Sequence, residues 1–307
     1  MSFIPEFNFQ KVFVAPWTTD FASFGWIVLM GFLVTLACGL VGNFLVLRKI
    51  SMVGDATSHS ILPGIAVAFL ISQSRHPLIM FAGALVAGVV ASVLIEIVHR
   101  RSRIKEDAAI GVVFSTLFAV GVVLISLYAA DVDLDADCVL YGELVSVGAE
   151  PRAIIAGIEL APMSVCIMGV VCVGVIVLLL LFYKELLVTS FDPALAITLG
   201  LRPGVIHYGL MCVLSLVIVS AFRSVGAILV VAMLILPGAT AFLLVQRLPA
   251  MLWLSVLHSI LCAIGGMHLA VWLNCSVGAA MVVTGTLLFV LAWIFNSQGR
   301  VLRRQND

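Results

Sequence analysis

Arg48-Lys49-Ile50-Ser51-Met52-Val53-Gly54-Asp55-Ala56-Thr57-Ser58-His59-Ser60-Ile61-Leu62-Pro63-Gly64 enters a hydrophobic segment, yet it carries a carboxylate and an imidazole four residues apart. On a helix that spacing turns the two side chains about 40° apart on one face, with one turn of rise between them. An Asp inside a bilayer span costs about 2.5–3.5 kcal/mol even on the lenient insertion scale, so such a residue usually marks a pathway. A carboxylate oxygen and an imidazole nitrogen together suit Zn²⁺, Mn²⁺ or Fe²⁺. Spacing alone leaves two readings open. Asp55 and His59 are ligands of a metal ion in transit, or Asp55 caps the helix through the amide of Ser58 or His59 while His59 bonds a neighbour. On the first reading, two copies of the chain about a two-fold axis supply two Asp and two His to one ion.

The surrounding chain fits a membrane setting. Its 307 residues are 63% apolar and 10% charged, with a formal net charge of zero. That balance belongs to a polytopic helical protein with lipid as its neighbour, and it gives no electrostatic footprint for nucleic acid. Residues 1–20 hold Glu6, Lys11 and Asp20 and no continuous apolar core, so a signal peptide is not expected. Phe7 to Val14 suits a short amphipathic helix lying on the membrane surface. Cys38, Cys138, Cys166, Cys172, Cys212, Cys262 and Cys275 include no CxxC pair and sit mostly in apolar runs, as small hydrophobes.

Apolar runs of about 20 residues cross a bilayer. Nine are expected, at 22–47, 52–72, 77–98, 107–129, 161–183, 203–222, 224–245, 251–272 and 276–296, with eight spans and one re-entrant segment as the alternative count. The chain then divides into an N-terminal segment 1–20, a transmembrane domain 21–298 and a basic tail 299–307. With the amino terminus outside and the carboxyl terminus in the cytoplasm, twelve basic residues fall inside: Arg48, Lys49, Arg100, Arg101, Arg103, Lys105, Lys184, Arg202, Arg247, Arg300, Arg303 and Arg304. Four fall outside: Lys11, Arg75, Arg152 and Arg223. The excess of inner basic residues selects this orientation. Cys138 and Cys275 then share the outer side, where a disulfide is conceivable.

Two connections exceed simple turns. The outer one, 130–160, carries Asp137-Cys138-Val139-Leu140-Tyr141-Gly142-Glu143 and is a candidate to dip back into the membrane. Glu143 there either holds cations near the outer mouth or is an ordinary solvated carboxylate. The inner one, 184–202, contains a short helix in prospect: Ser190 or Asp192 as its cap, Pro193 in its first turn and Gly200 at its end. A short capped helix between spans is a docking element. Ile61-Leu62-Pro63-Gly64 recurs as Ile235-Leu236-Pro237-Gly238 in a span of opposite direction, the pattern of an inverted repeat. Each Pro removes a backbone hydrogen bond, so both positions are expected helix breaks. His258 and His268, ten residues apart and about 80° round a helix, suit satisfied interior histidines better than a shared site.

Signatures of other classes are missing. There is no GxxxxGK[ST] phosphate loop, no HExxH and no GxSxG elbow, and Met52 occupies the first position of what would otherwise be a GxGD aspartyl-protease motif. An intramembrane enzyme is therefore disfavoured, and ATP binding by that loop is excluded.

The stretch Leu47 to Gly64 resembles the signature L-R-[RK]-x-S-[LM]-[VM]-G-D-A-x-[SA]-H-[AS]-x-L-P-G of the manganese, zinc and iron permeases of ATP-binding-cassette importers. Ser190-Phe191-Asp192-Pro193 to Leu199-Gly200-Leu201 resembles that family's F-D-P-x-x-A-x-x-L-G-[LI] segment. Ser224 to Val230 and Leu236 to Ala241 are similar to its later spans, and Asp137 to Glu143 to its outer loop. The resemblance implies an all-α fold related to the cobalamin and siderophore importer permeases. It implies two permease chains, identical or paralogous, paired with two ATPase subunits and served by an extracytoplasmic metal-binding protein. Phe191, Asp192, Pro193 and Gly200 would belong to the segment that couples to the ATPase, and Asp55 and His59 would line the metal path. The permease would hold no permanent cofactor and do no covalent chemistry. Asn274-Cys275-Ser276-Val277-Gly278 departs from the D-[VL]-P-[ST]-G of many members, which removes the carboxylate and the helix break that position would offer. A permease for a metal chelate or cobalamin is the alternative of the same fold; such substrates want a wide, mostly uncharged channel.

Overall fold

The structure, a computed structural model, describes residues 7–18, 21–73, 76–128, 144–155 and 158–304. Helix dominates, because a chain in lipid must satisfy its own backbone groups. The long helices are α1 (Phe21–Leu47), α2 (Met52–Ser72), α3 (Pro77–Arg101), α4 (Glu106–Tyr128) and α5 (Met163–Leu181). Two short helices follow, α6 (Tyr183–Phe191) and α7 (Pro193–Thr198), and then α8 (Pro203–Leu244), α9 (Leu248–Leu273) and α10 (Val277–Arg304). The expected tail is helical as far as Arg304, as an extension of α10.

Among the described residues, eight helical segments are long and apolar enough to cross a membrane, and they coincide with eight of the nine expected spans. The ninth, 224–245, is the shorter apolar helix Leu229–Leu244. The reason lies at Gly226, which has φ 76° and ψ 164° inside α8. A straight helix of 42 residues would reach about 63 Å, roughly twice the hydrocarbon thickness. The chain doubles back instead. Near the start of α8, His207 lies 3.7 Å from Glu96, close to the end of α3. Beyond Gly226, Leu234 packs on Gly42 and Gly54, close to the end of α1 and the start of α2. Both arms of α8 therefore meet the same end of the bundle, the Leu47 end.

Pro63 and Pro237 were expected to break their helices with Gly64 and Gly238, and neither does. Pro63 lies inside α2, and Pro237 inside the second arm of α8, whose non-helical residue is Gly226. Neighbouring helices hold both prolines in place. A Cβ on Gly121 of α4 would come 2.8 Å from Pro63 N, and one on Gly39 of α1 would come 3.0 Å from Pro237 Cβ.

α1 is the central post. Met30, Val34, Ala37, Cys38, Val41 and Phe44 are fully buried, as expected of a helix apolar on every side. Asn43 on it donates to Ser255 Oγ of α9 at 2.8 Å and to the Gly39 carbonyl at 2.7 Å, a polar tie between helices where water is absent. Gly64 and Gly83 face one another so closely that a Cβ on either would strike the other's carbonyl, which brings α2 onto α3.

At the opposite, Phe21 end, a 3₁₀ turn (Leu144–Ala149) buries Leu144 and Val147 and sets Gly148 against Ser23. An antiparallel hairpin of β1 (Arg152–Ile155) and β2 (Ile158–Pro162) follows it. The 3₁₀ turn thus lies across the end of α1. The remainder of the outer connection, including Glu143 and Cys138 with its suggested partnership to Cys275, lies outside the described residues. The N-terminal segment, a π-helical turn (Gln10–Val14) followed by a helical turn (Ala15–Thr18), is tied to the far end of α9. His268 Nδ1 donates to the Val12 carbonyl at 2.9 Å, and Trp17 Nε1 approaches His268 Nε2 at 3.5 Å. Phe7, Phe9 and Phe13 remain exposed around that anchor. His268 is thus the satisfied histidine expected.

Candidate metal site

The site begins with the turn that launches α2. Lys49 adopts φ 61°, Ile50 N–H bonds the Leu45 carbonyl at 3.0 Å, and Lys49 N–H bonds the Val46 carbonyl at 3.1 Å. This is a Schellman end to α1, and its usual apolar contact is available between buried Leu45 and Ile50. α2 starts three residues before Asp55, which lies in the first turn, where the helix dipole favours a negative charge. The capping alternative therefore fails: the N-cap position is Ser51.

Asp55 Oδ1 and His59 Nε2 are 3.4 Å apart, with side chains 36% and 37% exposed. The imidazole leans on two rings of α4, Phe114 at 5.6 Å and Phe118 at 6.1 Å between centroids. Those rings limit its rotation and give the pair one apolar wall. Around it, hydroxyls bond back along the helix rather than compete for the site: Thr57 to the Val53 carbonyl, Ser58 to the Asp55 carbonyl and Ser60 to the Ala56 carbonyl, each at 2.7 Å. Pro63, lacking N–H, withholds the helical hydrogen bond that the His59 carbonyl would accept.

Among the described residues no group of three or more His, Cys, Asp or Glu comes together to hold an ion. One chain brings together two candidate ligands on a half-open face. In the second arm of α8 the positions matching Asp55 and His59 are Leu229 and Met233, both buried and apolar.

The second candidate region is the α6–α7 connection at the Leu47 end. Asp192 Oδ1 accepts the Leu195 amide at 2.9 Å, so Asp192 is the N-cap of α7, and Pro193 is its first residue. Gly200, at φ 78°, closes the helix: its N–H bonds the Ile197 carbonyl and the Leu201 N–H bonds the Ala196 carbonyl, both at 3.0 Å. The capped helix read from the sequence is thus present. Phe191, Leu195, Ile197 and Leu199 are each about half exposed or more, an apolar patch of the kind that marks a protein contact.

Three features were not legible beforehand. Arg48, read in the sequence as an inner charge and as part of the Leu47–Gly64 signature, reaches across to α6. Glu96 pairs with Arg100 of the basic run that follows it, as its place near the end of the span allows, and also with His207 of α8. His258, expected to be a satisfied interior residue, is 3% exposed with neither ring nitrogen hydrogen-bonded among the described residues. It lies beside Cys262 and Met233 around Gly285.

Against known proteins, residues 21–296 match the ABC 3 transport family. The chain is similar to the manganese transport system membrane protein MntD of Bacillus subtilis, with 42% identity across 91% of this chain and 94% of that one. It is similar to the zinc transport system membrane protein TroD of Treponema pallidum, with 42% identity across 91% of this chain and 75% of that one. In three dimensions it resembles PsaBC from Streptococcus pneumoniae, solved in complex with Fab, with TM-score 0.75, 31% identity and coverage of 93% and 95% of the two chains. An inward-facing putative metal-chelate type ABC transporter shares the fold, with TM-score 0.64 and 15% identity over 88% of this chain and 85% of that one. The chain belongs to the ABC 3 transport family.

Proposed function

We propose that the chain is the membrane-spanning permease subunit of an ATP-binding-cassette importer and that its cargo is Mn²⁺ or Zn²⁺. Asp55 and His59, paired on the open face of a membrane helix, carry the reading. A carboxylate facing lipid is costly, so this face suits a cavity or a partner helix. A second permease chain across a two-fold axis, identical or paralogous, would bring the ligand count to four. Carboxylate oxygens suit Mn²⁺ and imidazole nitrogens suit Zn²⁺, so two of each would serve either ion. The relatives described above carry manganese and zinc in their names, which narrows the expected set from three metals to two. A chelate or cobalamin would need a wide uncharged channel, and the Asp55–His59 pair favours a bare ion over it.

On this reading the Leu47 end faces the cytoplasm, where the inner basic residues cluster, and the Phe21 end faces outward. The exposed apolar patch of α7 would seat in a groove of a separate ATPase subunit, which alone hydrolyses ATP. An extracytoplasmic metal-binding protein would deliver the ion across the Phe21 end. The aromatic N-terminal segment would rest in the lipid interface. The protein is multi-pass, and a bacterial cytoplasmic membrane suits this assembly.

The test is uptake of radioactive Mn²⁺ and Zn²⁺ by cells carrying the complete operon, with Mn²⁺, Zn²⁺ and Fe²⁺ as competitors. Uptake should saturate and be suppressed by excess unlabelled Mn²⁺ or Zn²⁺. Growth on a ferric chelate or cobalamin through this operon, with no uptake of the free ions, would overturn the reading.

A further inference from the structure

The turn between α1 and α2 is fastened to the segment that carries α7. Arg48 Nε donates to Ser190 Oγ, and Arg48 Nη2 donates to Thr189 Oγ1, both at 3.0 Å. Both acceptors are in the last turn of α6, immediately before the Asp192 cap. Thr189 is 5% exposed and also bonds back to the Glu185 carbonyl at 2.7 Å, so its hydroxyl is held in place. Arg48 itself is half-buried, and its bonds at this contact are to neutral hydroxyls. Hydrogen bonds from a charged donor are stronger than those of a neutral pair. Two from one planar fork also fix direction, which a point charge does not.

The other side of the link is stiff. Arg48 is the C-cap of α1, and the Schellman bonds of Lys49 and Ile50 leave the turn little freedom. Ile50 is buried, and the Val53 amide bonds the Ile50 carbonyl at 3.1 Å. Asp55 follows within the first turn of α2, seven residues from Arg48. A displacement of Thr189 and Ser190 therefore reaches the base of α2 through one guanidinium and one closed turn.

The geometry points to Arg48 as the positioning residue that transmits movement of the α6–α7 segment to the Asp55–His59 pair, through its fork on Thr189 and Ser190. It makes the segment that docks the ATPase and the helix that holds the cargo move as one body. This rests on the permease reading above and adds the route of coupling.

The test uses the complete importer, with its ATPase and binding protein, in proteoliposomes supplied with Mn²⁺ or Zn²⁺, whichever the uptake competition identifies. Arg48→Gln should keep basal ATP hydrolysis and assembly, and lower metal-stimulated hydrolysis and metal carried per ATP by about tenfold. That corresponds to the loss of roughly 1.4 kcal/mol of coupling. The concentration of metal for half-maximal uptake should stay within about twofold. Arg48→Lys should recover only part, since an ammonium cannot reproduce the fork. The pair Thr189→Val with Ser190→Ala should reproduce the defect, and adding Arg48→Gln to it should worsen it no further. Wild-type coupling in Arg48→Gln, or defects that multiply when the two changes are combined, would overturn the latch. A wild-type importer that shows neither metal uptake nor metal-stimulated hydrolysis would instead defeat the permease reading itself, so the two failures are distinct.

Discussion

The carbonyl oxygen of Leu234 rests against the α-carbon of Gly42, and no methyl group fits between them. This contact locks the returning arm of α8 onto the central post α1, with Leu234 also reaching Gly54, the residue before Asp55. Because the obstacle is backbone, it cannot swing aside. Gly42→Ala should therefore force the helices apart and cost about 3 kcal/mol, the upper range for overpacking. Gly174→Ala in α5 is the control, since nothing lies within 4 Å of the added carbon. Thermal unfolding in detergent should show a lower midpoint for the first and an unchanged or slightly higher one for the second. Equal midpoints in both would contradict the close packing.

Gly226 turns α8 round with a backbone that side-chain-bearing residues avoid. Its φ of 76° with ψ of 164° belongs to a region that is essentially glycine's own, and an alanine there costs about 1–3 kcal/mol. The alternative open to Gly226→Ala is a continuous helix, which the bilayer cannot accommodate at that length. The expected result is poor membrane insertion or rapid degradation, read as the amount of full-length protein in the membrane fraction. Wild-type amounts with wild-type transport would show that the reversal tolerates a side chain.

The spans were legible because lipid reduces the choices to a hydrophobic helix, and composition then marks its length. The α7 helix was legible for a similar reason: Asp192, Pro193 and Gly200 each act on backbone within a few residues of themselves. Asp55 and His59 share a face by helical arithmetic alone. What escaped depends on distant neighbours. Gly226 reads like other glycines in apolar runs, and only the contacts of Leu234 explain why it reverses the chain. Pro63 and Pro237 read as breaks, yet packing against Gly121 and Gly39 keeps their helices running. Arg48 reads as one inner charge among twelve, because its acceptors lie more than 140 residues away.

Asp192 caps α7 through one hydrogen bond to the Leu195 amide. Asp192→Ala should cost the helix about 1 kcal/mol, with Asp192→Asn close to wild type because the amide oxygen still accepts. A frayed α7 would present Leu195 and Ile197 to the ATPase in the wrong register. Metal-stimulated ATP hydrolysis by the assembled importer should drop severalfold in the alanine variant and recover in the asparagine variant. Equal stimulation in both would separate the cap from coupling.

Orientation makes a prediction independent of transport. Arg101 ends α3 at the Leu47 end, and the basic run continues to Lys105. With the native cysteines replaced, Arg101→Cys should react with a membrane-impermeant maleimide only after the cytoplasmic face is opened. A cysteine at Phe9, exposed at the opposite end of the bundle, should react in intact spheroplasts. The reverse pattern would invert the topology and place α7 outside, where no ATPase could meet it.

The Asp55–His59 pair separates charge from shape. Asp55→Asn keeps the volume and one oxygen while removing the negative charge, and His59→Gln keeps a polar atom while removing the imidazole nitrogen. If the pair only stabilised the first turns of α2, each change would cost a few tenths of a kcal/mol to about 1 kcal/mol through the helix dipole, with transport preserved. If it binds cargo, each should reduce metal uptake about 10²-fold, at least the loss seen when groups merely supporting a metal ligand are removed. Protein level and midpoint of unfolding should stay near wild type in both. The discriminating measurement is protection by metal. Mn²⁺ or Zn²⁺ should raise the unfolding midpoint of the assembled wild-type permease in a concentration-dependent way and should do so much less for either variant. Undiminished protection in Asp55→Asn and His59→Gln would move the metal site elsewhere in the molecule.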